Sequence, residues 1–173
     1  VGTAFPGADE ESRRQRREAA GPLFEALLRL VQPLRHIFEV ADGAAICACA
    51  PCWPGGDEAG NIFSGANFKR AAYRFSGPPR ELLALDKHLK AALRGRPYLY
   101  VFIVGCDPEK QGSGYGRCAL RQALRVADSR GVPAALETMT EKNRQMYERY
   151  GFRVVGKVDV EGCDSPWYAM VRE

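Results

Sequence analysis

Histidine is scarce in this chain, with His36 and His88 the only two in 173 residues. No apolar run approaches the roughly 20 residues that a membrane-spanning helix needs. Its first residues lack the basic and apolar regions of a secretory signal, so the protein is expected to be intracellular, in the cytoplasm, with no membrane partner. The chain begins with Val1 rather than Met, so its start reads as processed or as cut from a longer chain. Charge of one sign is in short supply as well: 25 Lys and Arg against 21 Asp and Glu leave +4, too small an excess to argue for nucleic acid. Neither Gly-x-x-x-x-Gly-Lys-Ser/Thr nor Gly-x-Gly-x-x-Gly occurs, which sets aside the two commonest nucleotide-binding loops. There is no repeat, low-complexity block or interdomain linker. With 46% hydrophobic and 27% charged residues, 1–173 reads as one globular domain.

Six cysteines are present (Cys47, Cys49, Cys52, Cys106, Cys118 and Cys163), but they are scattered and are expected to be reduced thiols. Cys47-x-Cys49-x-x-Cys52 resembles metal spacing but has no fourth ligand in register. It reads as small buried side chains on a strand, and no metal is expected.

Residues 9–34 predict a helix, charged in its first half and carrying an apolar stripe at Leu23, Leu27, Val31 and Leu34. Segments 36–41 and 44–50 flank Asp42-Gly43, a tight-turn dipeptide, and predict a hairpin. Trp53-Pro54-Gly55-Gly56 breaks the pattern, and 57–78 give none of their own. A second helix carries Leu82, Leu85, Leu89 and Leu93. The apolar stretch Tyr98 to Val104 then predicts a central strand that turns at Gly105-Cys106-Asp107-Pro108. Over 117–130, Leu120, Ala123, Leu124 and Ala127 share one helical face and Arg117, Arg121 and Arg125 another, with Gly131 and Pro133 as the stop. Ala134 to Glu137 is a short strand, and Thr140 caps a helix running to Tyr150 and stopped by Gly151. Two last strands are predicted over Phe152 to Val160 and Trp167 to Val171.

Between the central strand and the amphipathic helix lies Gln111-Gly112-Ser113-Gly114-Tyr115-Gly116. Its alternate glycines permit positive φ, so successive N–H groups can converge without a Cβ in the way. The loop runs into a helix start, where unpaired amides and the helix dipole add to the same positive focus. Such a loop suits phosphate.

From Leu99 to Phe152 the chain resembles the core of the Gcn5-related N-acetyltransferases. The parts are a strand, Asp107-Pro108, the Gln111 to Gly116 loop, a helix, a strand ending in Glu137, and Asn143-x-x-x-Tyr147-x-x-x-Gly151-Phe152. Arg96-Pro97-Tyr98, Leu136-Glu137-Thr138 and Tyr147-Glu148-Arg149-Tyr150-Gly151-Phe152 look most like its puromycin N-acetyltransferase branch. The fold this resemblance implies is α/β, with a mixed central sheet splayed at its fourth and fifth strands and flanked by helices. The acetyl-CoA-binding core would span 98–160. One helical region, 1–35, precedes the hairpin, so the family's first strand is expected to be missing and the front of the domain truncated.

The same resemblance implies an enzyme that uses acetyl-CoA as co-substrate and transfers acetyl directly to an amine. The pyrophosphate would lie on Gln111, Gly112, Ser113, Gly114, Tyr115, Gly116 and Arg117. The pantetheine arm would run along the main chain of Val104, Gly105 and Cys106, whose end would also supply an oxyanion donor. Tyr147 matches the general acid and Glu137 the base. Asn143 stands four residues before Tyr147, whereas many members place an asparagine seven before, where Thr140 stands here; Asn143 is expected to reach the pantetheine. The expected acceptor is a small-molecule amine, with the protein a monomer or homodimer. Two other readings remain open: a non-catalytic acyl-CoA-binding or regulatory module, and nucleic-acid binding through Arg13 to Arg17 with the Arg117, Arg121 and Arg125 face.

Overall fold

The computed structural model describes residues 36–53, 80–160, 163 and 165–173. The helix expected over 9–34, the unpatterned 57–78 stretch and the question of a first strand lie outside these residues. The hairpin is present as β1 (Ile37–Val40) and β2 (Ala45–Cys52), paired antiparallel. Its link is wider than the tight turn expected from Asp42-Gly43. Ala41, Asp42 and Gly43 all take positive φ, and Ala44 N–H donates to the Ala41 carbonyl at 3.1 Å.

Helix α1 (Arg80–Leu93) buries Leu85, Leu89 and Leu93, one face of its leucine repeat. Strand β3 (Tyr98–Cys106) runs two residues past the expected Val104, because Gly105 and Cys106 still pair with Ile46 and Ala45. The turn begins at Asp107, whose carboxylate accepts the Glu109 N–H at 3.0 Å and caps a short 3-10 turn over Pro108–Lys110. Helix α2 (Tyr115–Arg130) buries Ala119, Leu120, Ala123, Leu124 and Ala127 and ends on left-handed Gly131, whose N–H reaches back to the last carbonyls. After β4 (Ala134–Thr138), the Thr140 hydroxyl accepts the Asn143 N–H at 3.2 Å and starts α3 (Glu141–Glu148). Strands β5 (Arg153–Val158) and β6 (Trp167–Arg172) complete the order.

The six strands form one sheet in the order β1-β2-β3-β4-β6-β5. Only β3 and β4 run parallel; every other neighbouring pair is antiparallel. That parallel pairing is brief: Leu99 opposes Ala134, Tyr100 opposes Ala135, and the two strands then part. The splay expected between these strands is therefore present, and it opens toward Cys106 and Thr138.

The β2/β3 register contains an irregularity that the sequence did not announce. Ala48 opposes Ile103 and Cys49 opposes Val101, so Phe102 is an extra residue, a β-bulge. Before it, Leu99 and Val101 face the α2 side; after it, Val104 and Cys106 do. Two cores result. One joins Leu99, Val101, Leu120, Leu136, Tyr147 and Phe152 under α2 and α3, and the other joins Leu85, Leu89, Leu93, Ala135, Trp167 and Val171 under α1.

Candidate functional site

The mouth of the splay lies beside the glycine loop. Gly112 and Gly114 hold φ of 85° and 86°, the left-handed region that favours glycine. A Cβ on Gly112 would meet nothing within 4 Å, so its glycine serves backbone conformation rather than space. Gly114 is the N-cap residue of α2, with no side chain closing the first turn. Among the described residues no N-cap side chain accepts from the opening N–H groups of α2, which suits them to an external acceptor. The Arg117 guanidinium folds back over Gly114, with Nη2 3.6 Å from where a Cβ would stand, and adds full charge to the same focus. Gln111, Gly112, Ser113 and Arg117 are exposed, while Gly114, Tyr115 and Gly116 are half-buried.

Val104, Gly105 and Cys106 form the last part of β3, on the strand edge that β4 has left. Among the described residues their main-chain groups on that side have no strand partner. The Cys106 Cβ lies 4.0 Å from the ideal Cβ position of Gly116, which ties the strand end to the first turn of α2. All six cysteines carry free thiols. Cys47 and Cys49 are fully buried with their sulfurs 3.6 Å apart, in keeping with small core side chains. Among the described residues no group of three or more His, Cys, Asp or Glu side chains is arranged to hold a metal ion.

Tyr147 stands on α3 with its ring packed edge-on against Phe152, centroids 5.7 Å apart. Only 8% of it is exposed, and burial raises its hydroxyl well above the ordinary phenol range. Asn143 is on the first turn of α3, exposed, with its N–H committed to Thr140. The α3 start is anchored to β6: Glu141 accepts from Arg144 at 2.5 Å and from the Tyr168 hydroxyl at 2.9 Å. Arg144, Tyr168 and Gln145 together hold its carboxyl down to about 2.

Glu137 lies on the opposite face of the sheet from Tyr147, the side of Ala135 and α1. Burial raises its carboxyl to about 7. The Tyr100 hydroxyl, which donates to its Oε2, pulls in the other direction, and Asp86 on α1 adds to the rise. Neither Tyr100 nor Asp86 was singled out from the sequence. Strand alternation places Tyr98 and Tyr100 on one face, but which strand lies beside them is decided by a parallel pairing that no local pattern reports.

The open hollow at the far end of α2, lined by Arg96, Asp128, Gly131, Pro133 and Glu173, is a separate feature. It is about 24 Å along the helix from the glycine loop at 1.5 Å per residue. Ion pairs of Arg96 with Glu173 at 2.8 Å and of Arg172 with Asp128 at 2.6 Å edge it.

The profile of the acetyltransferase (GNAT) family matches residues 8–152. A mycothiol acetyltransferase of Thermobifida fusca is 40% identical over 63 residues, covering 35% of this chain and 20% of that protein. The match thus spans about a fifth of the curated relative. Among solved structures, a Corynebacterium glutamicum protein described as histone acetyltransferase HPA2 and related acetyltransferase superposes with a TM-score of 0.52 at 19% identity, covering 98% of this chain and 78% of that one. PH1933 of Pyrococcus horikoshii superposes with a TM-score of 0.56 at 16% identity, covering 98% and 83%. These two share the fold. With the family profile running over most of the chain, the protein belongs to the GNAT acetyltransferase family.

Proposed function

We propose that this chain is an acetyl-CoA-dependent N-acetyltransferase that passes the acetyl group directly to the amine of a small molecule while both substrates are bound. The observation that carries this reading is the splay between β3 and β4, flanked at its mouth by an uncapped glycine-rich helix start. Acetyl-CoA fits the chemistry of these groups: pyrophosphate for the amides from Gly112 to Arg117, and an amide-bearing arm for the unpaired edge at Val104, Gly105 and Cys106, with Asn143 near its path. It supplies an acetyl thioester.

The chain's residues divide the remaining work. Glu137 takes the proton that the amine must lose, and a carboxyl raised to about 7 is matched to that task near neutral pH. Backbone N–H groups at the end of β3 stabilise the negative charge that grows on the carbonyl oxygen as the C–N bond forms. Tyr147, kept in its phenol form by burial, gives a proton to the sulfur as the C–S bond breaks. Because Glu137 and Tyr147 lie on opposite faces of the sheet, amine and leaving thiol are served from opposite sides of the gap.

The test is release of free CoA thiol from acetyl-CoA in the presence of a panel of small amines. Turnover with at least one amine is expected, and Tyr147→Phe should lower kcat by about 10²–10⁴ while leaving CoA binding intact. CoA binding with no turnover for any amine would reassign the chain to non-catalytic acyl-CoA binding.

A further inference from the structure

We propose that Tyr100 is a positioning residue for the acetyl-transfer reaction, its hydroxyl holding the Glu137 carboxylate at the fork of the splay and keeping it available as the base. This rests on the reading of Glu137 as base. The last backbone rung joining β3 to β4 is Tyr100 opposite Ala135, and Glu137 is two residues further along β4 on the same face. The next link across the fork is therefore made by side chains, from the Tyr100 hydroxyl to Glu137 Oε2. Without it, a carboxylate at the edge of a widening gap would be free to swing into solvent.

Several polar groups border the bond. Tyr98 joins Tyr100 from β3, Asp86 faces the pair from α1, Cys52 lies across from Tyr98 on β2, and β6 presents only Ala169 opposite Glu137. Asp86 is itself paired with Lys90 at 2.6 Å. Among the described residues no cation reaches Glu137, so the Tyr100 hydroxyl is the donor that offsets burial and favours the ionised form. Removing it should leave Glu137 protonated to higher pH, and the phenyl ring of Tyr100→Phe keeps the packing against Phe102, whose centroid lies 6.1 Å away.

The experiment is a carboxyl-carbon NMR titration of the free protein labelled with 13C-glutamate, the Glu137 resonance being assigned by its loss in Glu137→Gln. In Tyr100→Phe the Glu137 midpoint should move up by about one pH unit. The acidic limb of kcat/KM for an accepted panel amine should move with it, giving about a tenfold loss near pH 6 that is recovered at alkaline pH. An unmoved midpoint, or a loss of activity equal at every pH, would overturn the proposal. If Glu137→Gln keeps wild-type rates across the pH range, the base reading fails instead, whatever the titration shows. Should Tyr100→Phe not fold, the wild-type protein labelled with 13C-tyrosine as well carries the test: the Tyr100 ζ-carbon should titrate with the Glu137 midpoint, and the absence of a shared midpoint overturns the bond.

Discussion

Glu137 concentrates the electrostatic tension of the site in one residue. Its carboxyl titrates at about 7 in the fold against 4.5 ordinarily, so the folded chain binds a proton that the unfolded chain has already lost between those values. Stability from this group is complete below about 4.5 and is lost as pH rises through about 7. The loss approaches about 3 kcal/mol. Glu137→Gln should escape it, so thermal melts at pH 5 and pH 8 should show the variant gaining on the wild type at the higher pH. At this scale a motif in the sequence names Tyr147 and Glu137 as candidates, and the fold sets them on opposite faces of the sheet. The sequence was silent on Tyr100, because its partner is 37 positions away and reached only through tertiary pairing.

Elements show a different mixture of legible and hidden information. The leucine repeat of α1, the alanine and leucine face of α2 and the Thr140 cap were readable because each depends on neighbours within a few positions. Strand ends were less so: β3 continues through Gly105 and Cys106 because β2 is there to pair with them. Equally invisible was the contact between α1 and β5, where a Cβ on Gly156 would stand 2.2 Å from the His88 Cγ. Gly156→Ala should therefore cost about 1–3 kcal/mol by forcing the ring aside, measured by urea denaturation, and His88→Ala in the same chain should restore part of it. Gly114→Ala tests the helix start. The left-handed φ of 86° should cost the fold about 1–2 kcal/mol, and crowding of Arg117 should raise the KM for acetyl-CoA more than it lowers kcat.

Among the described residues the sheet carries a core on each face, and the splay opens within that sheet, between β3 and β4. A ligand seated there is bound by the folded chain and not by the unfolded one. CoA at 100 times its Kd should therefore stabilise the protein by about 2.7 kcal/mol, seen as a rise in Tm that Gly114→Ala reduces. The extra residue at Phe102 has a consequence for anyone who rebuilds this sheet. It works as a phase shift: alternation counted from Tyr98 would send Val104 and Cys106 to the α1 side, and the inserted residue returns them to the α2 side, where the helix start waits. Deleting Phe102 would remove the bulge and put Ile103 directly after Val101, so plain alternation alone would keep Val104 and Cys106 on the α2 side in their present register with β2; the expected outcome is a folded chain whose β3 has lost its local bend on the way to the splay.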